Sequence, residues 1–134
     1  MVPIRKIEGI GKVYAEKLKE AGINTVEALL EAAASDKARR ELAERLGVST
    51  KLILDWANRA DLMRIKGVGE EFSDLLEAAG VDTVVELARR NADNLYQKLV
   101  EVNAEKKLVR RLPTRKQVAD WIEQAKELPR ILTH

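Results

Sequence analysis

The chain contains no cysteine, a single histidine at its last position, three prolines, and only two tryptophans, two tyrosines and one phenylalanine in 134 residues. Without cysteine neither disulfides nor thiolate metal sites can form, and with His134 as the lone imidazole the body of the chain lacks the usual acid–base group of neutral pH. A catalytic triad or a transition-metal site has nothing to work with, so a non-enzyme with no cofactor and no metal is expected. No apolar run approaches the roughly 18 residues of a membrane span, and Met-Val-Pro-Ile-Arg-Lys at the N-terminus lacks the apolar stretch of a signal peptide. The expectation is a soluble cytoplasmic protein with no membrane partner. So few aromatics also argue against a surface on which bases stack.

Neither sign of charge dominates. Residues 1–62 carry 11 basic and 10 acidic side chains and residues 63–134 carry 13 and 12, for a formal net charge of +2. The one local bias is Lys106, Lys107, Arg110, Arg111, Arg115 and Lys116, six cations between Glu105 and Asp120 with no acid among them. Such a run is most often a solvated helix face; the sharper alternative is a surface that meets an anion.

What the chain does have is a copy of itself. Ile7-Glu-Gly-Ile-Gly recurs fifty-eight residues on as Ile65-Lys-Gly-Val-Gly, and Tyr14, Leu18, Ala21-Gly22, Thr25-Val26 and Leu29 are answered at the same offset by Phe72, Leu76, Ala79-Gly80, Thr83-Val84 and Leu87. The match resumes at an offset of 65, where Ser49, Lys51, Asp55-Trp56 and Ala60 pair with Thr114, Lys116, Asp120-Trp121 and Ala125. Copy two therefore holds a seven-residue insertion between Asp93 and Pro113. Two repeats follow, 1–62 and 63–134; a copy of about 60 residues buries only roughly 60% of its unfolded surface, so the two are expected to pack together.

Composition rich in Ala, Leu and Val suits small helices, and an all-α fold follows. In copy one a helix is expected over Lys12 to Glu20, with Val13, Leu18 and Ala21 inward and Gly22 in the left-handed stop. Thr25 caps a short helix through Ala32 or Ala33, Ser35-Asp36 opens a third that ends at Gly47, and Ser49 or Thr50 caps a fourth. Ile53, Trp56, Ala57 and Ala60 form the buried stripe of that fourth helix, repeated as Val118, Trp121, Ile122 and Ala125. It runs through Asp61-Leu62-Met63 into the second Gly-Val-Gly with no flexible linker, which predicts a shared helix and rigidly packed repeats.

Two glycines flanking one apolar residue permit a tight reversal between helices, with Ile10 and Val68 as plugs, and leave amides at the start of the next helix open to an anion. Lys12 after Gly11 invites a P-loop reading, but the earlier glycine is missing and Val13 stands in place of Ser or Thr. Nor is there a dinucleotide fingerprint, because Tyr14 holds the third glycine position and no strand precedes it.

Gly9-Ile-Gly-Lys-Val-Tyr-Ala-Glu-Lys-Leu resembles the helix-hairpin-helix motif of DNA repair and recombination proteins, with Ala15 and Leu18 where that pattern places alanine and an aliphatic residue. The run through Lys19-Glu-Ala-Gly-Ile-Asn-Thr-Val-Glu-Ala-Leu is similar to the double-hairpin N-terminal domain of archaeal and eukaryal recombinases (a SAM-like arrangement) and, more distantly, to the C-terminal domain of the bacterial RNA polymerase alpha subunit. Nearly the whole chain reads as two tandem double hairpins, a pattern that resembles a bacterial family known chiefly as a domain of unknown function. By that analogy the second hairpins turn at Leu46-Gly47-Val48-Ser49 and at Leu112-Pro113-Thr114.

The resemblance implies sequence-independent binding of double-stranded DNA through its phosphates. The residues it assigns are Gly9, Ile10, Gly11 and Lys12 in the first hairpin, Gly47, Ser49 and Lys51 in the second, and Arg115 and Lys116 in copy two. The second Gly-x-Gly departs from the pattern, because Glu70 and Glu71 stand where the helix begins and repel a phosphate. The plainer alternative is that the hairpins only let helices reverse and pack, in a scaffold whose partner is another protein.

Overall fold

Short polar side chains start most of the helices, each accepting from an amide that the first turn leaves without an intrahelical acceptor. In the computed structural model, which describes residues 2–134, Thr25 Oγ1 accepts from Ala28 N at 3.0 Å, Ser35 Oγ from Ala38 N at 3.1 Å and Ser49 Oγ from Leu52 N at 3.1 Å. The helices are α1 (Lys12–Glu20), α2 (Val26–Ala32), α3 (Asp36–Leu46), α4 (Thr50–Leu62), α5 (Glu70–Ala78), α6 (Val84–Ala88), α7 (Ala92–Lys106) and α8 (Arg115–Glu127), after a 3-10 turn at Ile4–Lys6. No strand occurs among the described residues beyond an isolated bridge between Pro3 and Thr25, so the fold is all-α. None of these helices is long and apolar enough to cross a membrane.

The chain divides into two units, one of residues up to Asp61 together with Ile131–His134, the other Leu62–Arg130. The last four residues, which the repeat count places in copy two, thus pack in the first unit: Leu132 is buried, and Thr133 N donates to Ala34 O at 2.8 Å.

In the first unit α1 ends as its glycine predicts, with Gly22 at φ 81° and Ile23 N reaching back to Leu18 O at 2.8 Å. Its inward face differs from the expectation at one position. Val13 is 68% exposed, while Leu18 is fully buried and Tyr14 and Ala15 are half-buried. Residues 13 and 18 lie about 140° apart around a helix and residues 14 and 18 only about 40°, so Tyr14 rather than Val13 shares the face of Leu18. Arg39 on α3 is also turned in: it is 2% exposed, and its guanidinium donates to Ala33 O at 2.9 Å, Ala34 O at 3.2 Å and Thr133 O at 2.6 Å.

The second unit packs α8 against α6 and α7, and α5 against α7, around a core that includes Leu75, Leu76, Val84, Leu87, Leu99 and Trp121. The seven-residue insertion is a net gain in two places, set against an α6 two residues shorter than α2. α7 has 15 residues against 11 in α3, and residues 107–114 join α7 to α8 where only 47–49 join α3 to α4. The expected tight turn at Leu112-Pro113-Thr114 is therefore the end of a longer loop. Asn103 closes that loop, donating through Nδ2 to Val109 O at 3.1 Å and accepting at Oδ1 from Val109 N at 2.9 Å.

Lys107 ends α7 at φ 52°, the only left-handed residue other than glycine among those described. That conformation costs a β-carbon about 1 kcal/mol, partly offset in glycine by the greater freedom of the unfolded chain. Lys107→Gly is expected to raise stability by about 0.5 kcal/mol, read as a higher urea midpoint at unchanged slope; a lower midpoint would contradict it.

Candidate nucleic-acid interface

The two Gly-x-Gly turns share one backbone geometry. Gly9 has φ 92° and Gly67 φ 98°, Ile10 N donates to Ile7 O and Val68 N to Ile65 O, both at 3.1 Å, and Ala15 N and Ser73 N reach Gly11 O and Gly69 O, both at 2.9 Å. The plugs Ile10 and Val68 are 4% and 5% exposed. A tryptophan from the last helix of each unit lies beneath the first glycine. A β-carbon on Gly9 would stand 3.5 Å from Trp56 Nε1, and one on Gly67 only 3.1 Å from Trp121 Nε1. Each indole also meets the aromatic residue that follows its turn, Tyr14 with Trp56 at 5.1 Å and Phe72 with Trp121 at 5.2 Å between ring centroids. Both glycines are thus required by the sign of φ, and at Gly67 the indole beneath also crowds a β-carbon, whereas at Gly9 that contact would be an ordinary one.

What the two turns offer an anion is different. Gly11 and Gly69 carry no side chain to cap α1 and α5, whereas Thr25, Ser35, Ser49, Thr83, Asn91 and Thr114 cap the other six helices. The first turn of α1 holds no acid, no acceptor among the described residues meets the amides of Gly11, Lys12 or Val13, and Gly9, Gly11 and Lys12 are exposed. With the helix dipole behind them, these amides and Lys12 face solvent as an electropositive end. α5 begins with Glu70 and Glu71, which neutralise its own dipole. Its turn is also held from outside: Gln124 on α8 accepts from Lys66 N at 2.9 Å and donates to Lys66 O at 3.1 Å. Arg59 stands at the corresponding place in copy one and has no carbonyl with which to accept.

The other residues read from the sequence are not equally open. Ser49 Oγ is spent on the α4 cap, and the amides of Gly47 and Val48 donate to Glu44 O at 3.3 Å and Ala43 O at 3.0 Å, leaving Lys51 as an exposed cation on α4. In the second unit the α8 terminus is closed by a capping box: Thr114 Oγ1 accepts from Gln117 N at 3.1 Å, and Gln117 Oε1 from Thr114 N at 2.8 Å. Arg115 pairs through Nε with Asp93 Oδ1. The hydrogen bond and then the charge of Arg115 hold the Asp93 carboxyl below the usual carboxylate range. Lys116, Lys106, Lys107, Arg110 and Arg111 are exposed and have no ion pair among the described residues. The capping box thus takes the Thr114 and Gln117 amides, and the exposed cations are this unit's main offer to an anion.

Residues 8–128 match the family described as Domain of unknown function (DUF4332). The chain belongs to that family. The matched segment takes in both turns, both tryptophans and the basic loop. No curated protein and no solved structure shows significant similarity to the chain.

The first unit also carries two shallow neighbouring grooves, of about 210 Å³ and 340 Å³, that share Ala21 and Arg45. Their walls include Ile23 and Leu42, with Lys17, Glu20 and Glu41 at the edges, and the apolar part has no convergent polar groups of the kind that orient a small substrate.

Proposed function

We propose that this member of the DUF4332 family is a non-catalytic protein of two tandem double helix-hairpin-helix repeats that binds double-stranded DNA without sequence preference. Its first hairpin holds a backbone phosphate with the amides of Gly11, Lys12 and Val13 and the charge of Lys12, and the basic segment over 106–116 adds side-chain contacts. The observation that carries the reading is the difference between two turns of the same backbone: one opens on an uncapped, acid-free helix start, and the other carries two glutamates and a glutamine clasp. A turn kept only for packing has no need of that asymmetry. Contacts to phosphate carry no base information, so duplexes of unrelated sequence should bind alike.

Affinity should fall steeply as salt rises, because each neutralised phosphate releases counterions. Lys12→Glu is expected to weaken binding roughly tenfold at low salt and to lower the slope of log affinity on log salt by about 1. Failure of the wild-type chain to shift any duplex at low salt would sink the proposal.

One observation favours the rival scaffold reading: Val13, beside the turn, is 68% exposed. Light scattering and DNA titration on one preparation separate the two, since the scaffold predicts association through protein and no duplex binding.

A further inference from the structure

The loop from Lys107 to Thr114 is built more firmly than a solvated connector needs to be. Val109 is 6% exposed and Pro113 is buried, and Leu108 and Leu112 are packed against the second unit's core, so apolar anchors alternate with the cations along the loop. Asn103 fixes the backbone at Val109 from both sides, as acceptor and donor. Lys107 holds a left-handed conformation with its amide donating to Asn103 O at 2.8 Å. Strain of this kind persists where the surroundings over-determine it and gathers at binding sites. Copy one has only Gly47-Val48-Ser49 in this place, so the loop is an addition, and its outward side chains are Lys107, Arg110 and Arg111, with Lys106 on the last turn of α7.

From this we infer that the loop is a preorganised phosphate-backbone clamp for duplex DNA in which Asn103 is the positioning residue. This rests on the proposed DNA-binding reading and gives the second unit its own contact, made by side chains of the loop: the α8 capping box takes the Thr114 and Gln117 amides, and Arg115 is engaged by Asp93. Four cations without carboxylate partners, displayed from a backbone already ordered, bind a polyanion without the entropy of ordering a loop at each encounter. Lys and Arg in such a place neutralise phosphates and read no base.

The test is a titration of a mixed-sequence duplex across salt for the wild-type chain, for Lys106, Lys107, Arg110 and Arg111 changed together to Gln, and for Asn103→Ala. The quadruple variant changes only exposed side chains and should fold normally. It is expected to lose about tenfold or more in affinity near 50 mM salt and to lower the salt slope by about 3. Asn103→Ala keeps every cation, so it should weaken binding about threefold while leaving the slope within about 0.5 of wild type, a split that loss of charge cannot produce. Its Val109 amide should exchange faster with solvent, and the duplex should restore part of that protection. Wild-type affinity and slope in the quadruple variant overturn the clamp while leaving the first hairpin standing. Absence of duplex binding by the wild-type chain overturns both, including the case in which the wild type binds anionic vesicles through the same lysines and arginines but binds no duplex.

Discussion

Trp121→Ala is expected to destabilise the second unit by about 3–5 kcal/mol, the usual cost of emptying a buried indole site. The side chain is 1% exposed, its ring lies 5.2 Å from Phe72, and its Nε1 occupies the space beneath Gly67. Removing it leaves the Ile65–Gly69 reversal without a floor and Phe72 without its partner, a pair worth about 0.5–1.5 kcal/mol beyond burial. A unit of this size has a total stability of only about 3–10 kcal/mol, so the loss is comparable to the whole. Urea unfolding followed by circular dichroism reads the change, and amide exchange at Val68 and Ser73 reports on the turn itself. A loss under about 1.5 kcal/mol would mean that the turn supports itself and that the indole only fills space.

The sequence carries this arrangement only in part. Tryptophans at the same place in two copies, each on an i, i+3, i+4, i+7 stripe, mark core positions, and both are buried. That each indole lies under a glycine forty-odd or fifty-odd residues away is a tertiary fact, and no local pattern in the Gly-x-Gly stretch encodes it. Caps behave differently. Thr25, Ser35 and Ser49 could be read directly because their partners lie three residues ahead. Gly22 and Gly47 could be read because a left-handed stop needs only the local chain.

Val13 shows where local reading fails. An apolar residue near the start of an amphipathic helix has the pattern of an inward one, yet the face that packs is set by Tyr14 and Leu18, and a single position of rotation turns Val13 to solvent. The candidate site divides along the same line. The charge contrast between Gly-Lys-Val and Gly-Glu-Glu is written in the sequence, and so is the basic run at 106–116. The clasp of Gln124 on Lys66 spans 58 residues. The closure of Asn103 on Val109 spans only six, but it resembles any polar residue late in a helix until the loop's path is known. Among the assigned residues, Ser49, Gly47 and Arg115 already have partners, because polar groups near helix ends are used first to satisfy the helices themselves.

Arg39 is the largest such surprise, and its replacement should be the second most damaging change. Flanked by Lys37, Ala38 and Arg40 on a helix rich in charge, it has the look of an outward cation, yet it is 2% exposed and donates to carbonyls. A guanidinium tolerates this because three carbonyl dipoles converge on it: Ala33 O and Ala34 O from the end of α2, and Thr133 O from the C-terminal segment. Arg39→Met keeps most of the stem's volume and removes the donors. Ala34 O retains the Thr133 amide, but Ala33 O, in a buried bond, loses its donor at about 1–3 kcal/mol, and Thr133 O, on an exposed residue, loses its donor at a smaller cost because water can replace it. The expected loss is about 3 kcal/mol, roughly 12–24 °C in melting temperature for a unit of this size. Residues 131–134 should become accessible to carboxypeptidase at the same time, because Leu132 and the amide and hydroxyl bonds of Thr133 to Ala34 O are then what holds them. A variant as stable as the wild type, with its C-terminal segment still protected, would show that the apolar contacts of Leu132 hold the segment and that the buried cation contributes nothing net. Arg39→Lys separates charge from geometry: an ammonium carries the charge but lacks the two separate donor nitrogens that reach the α2 end and the C-terminal segment, so it should recover less than half of the loss.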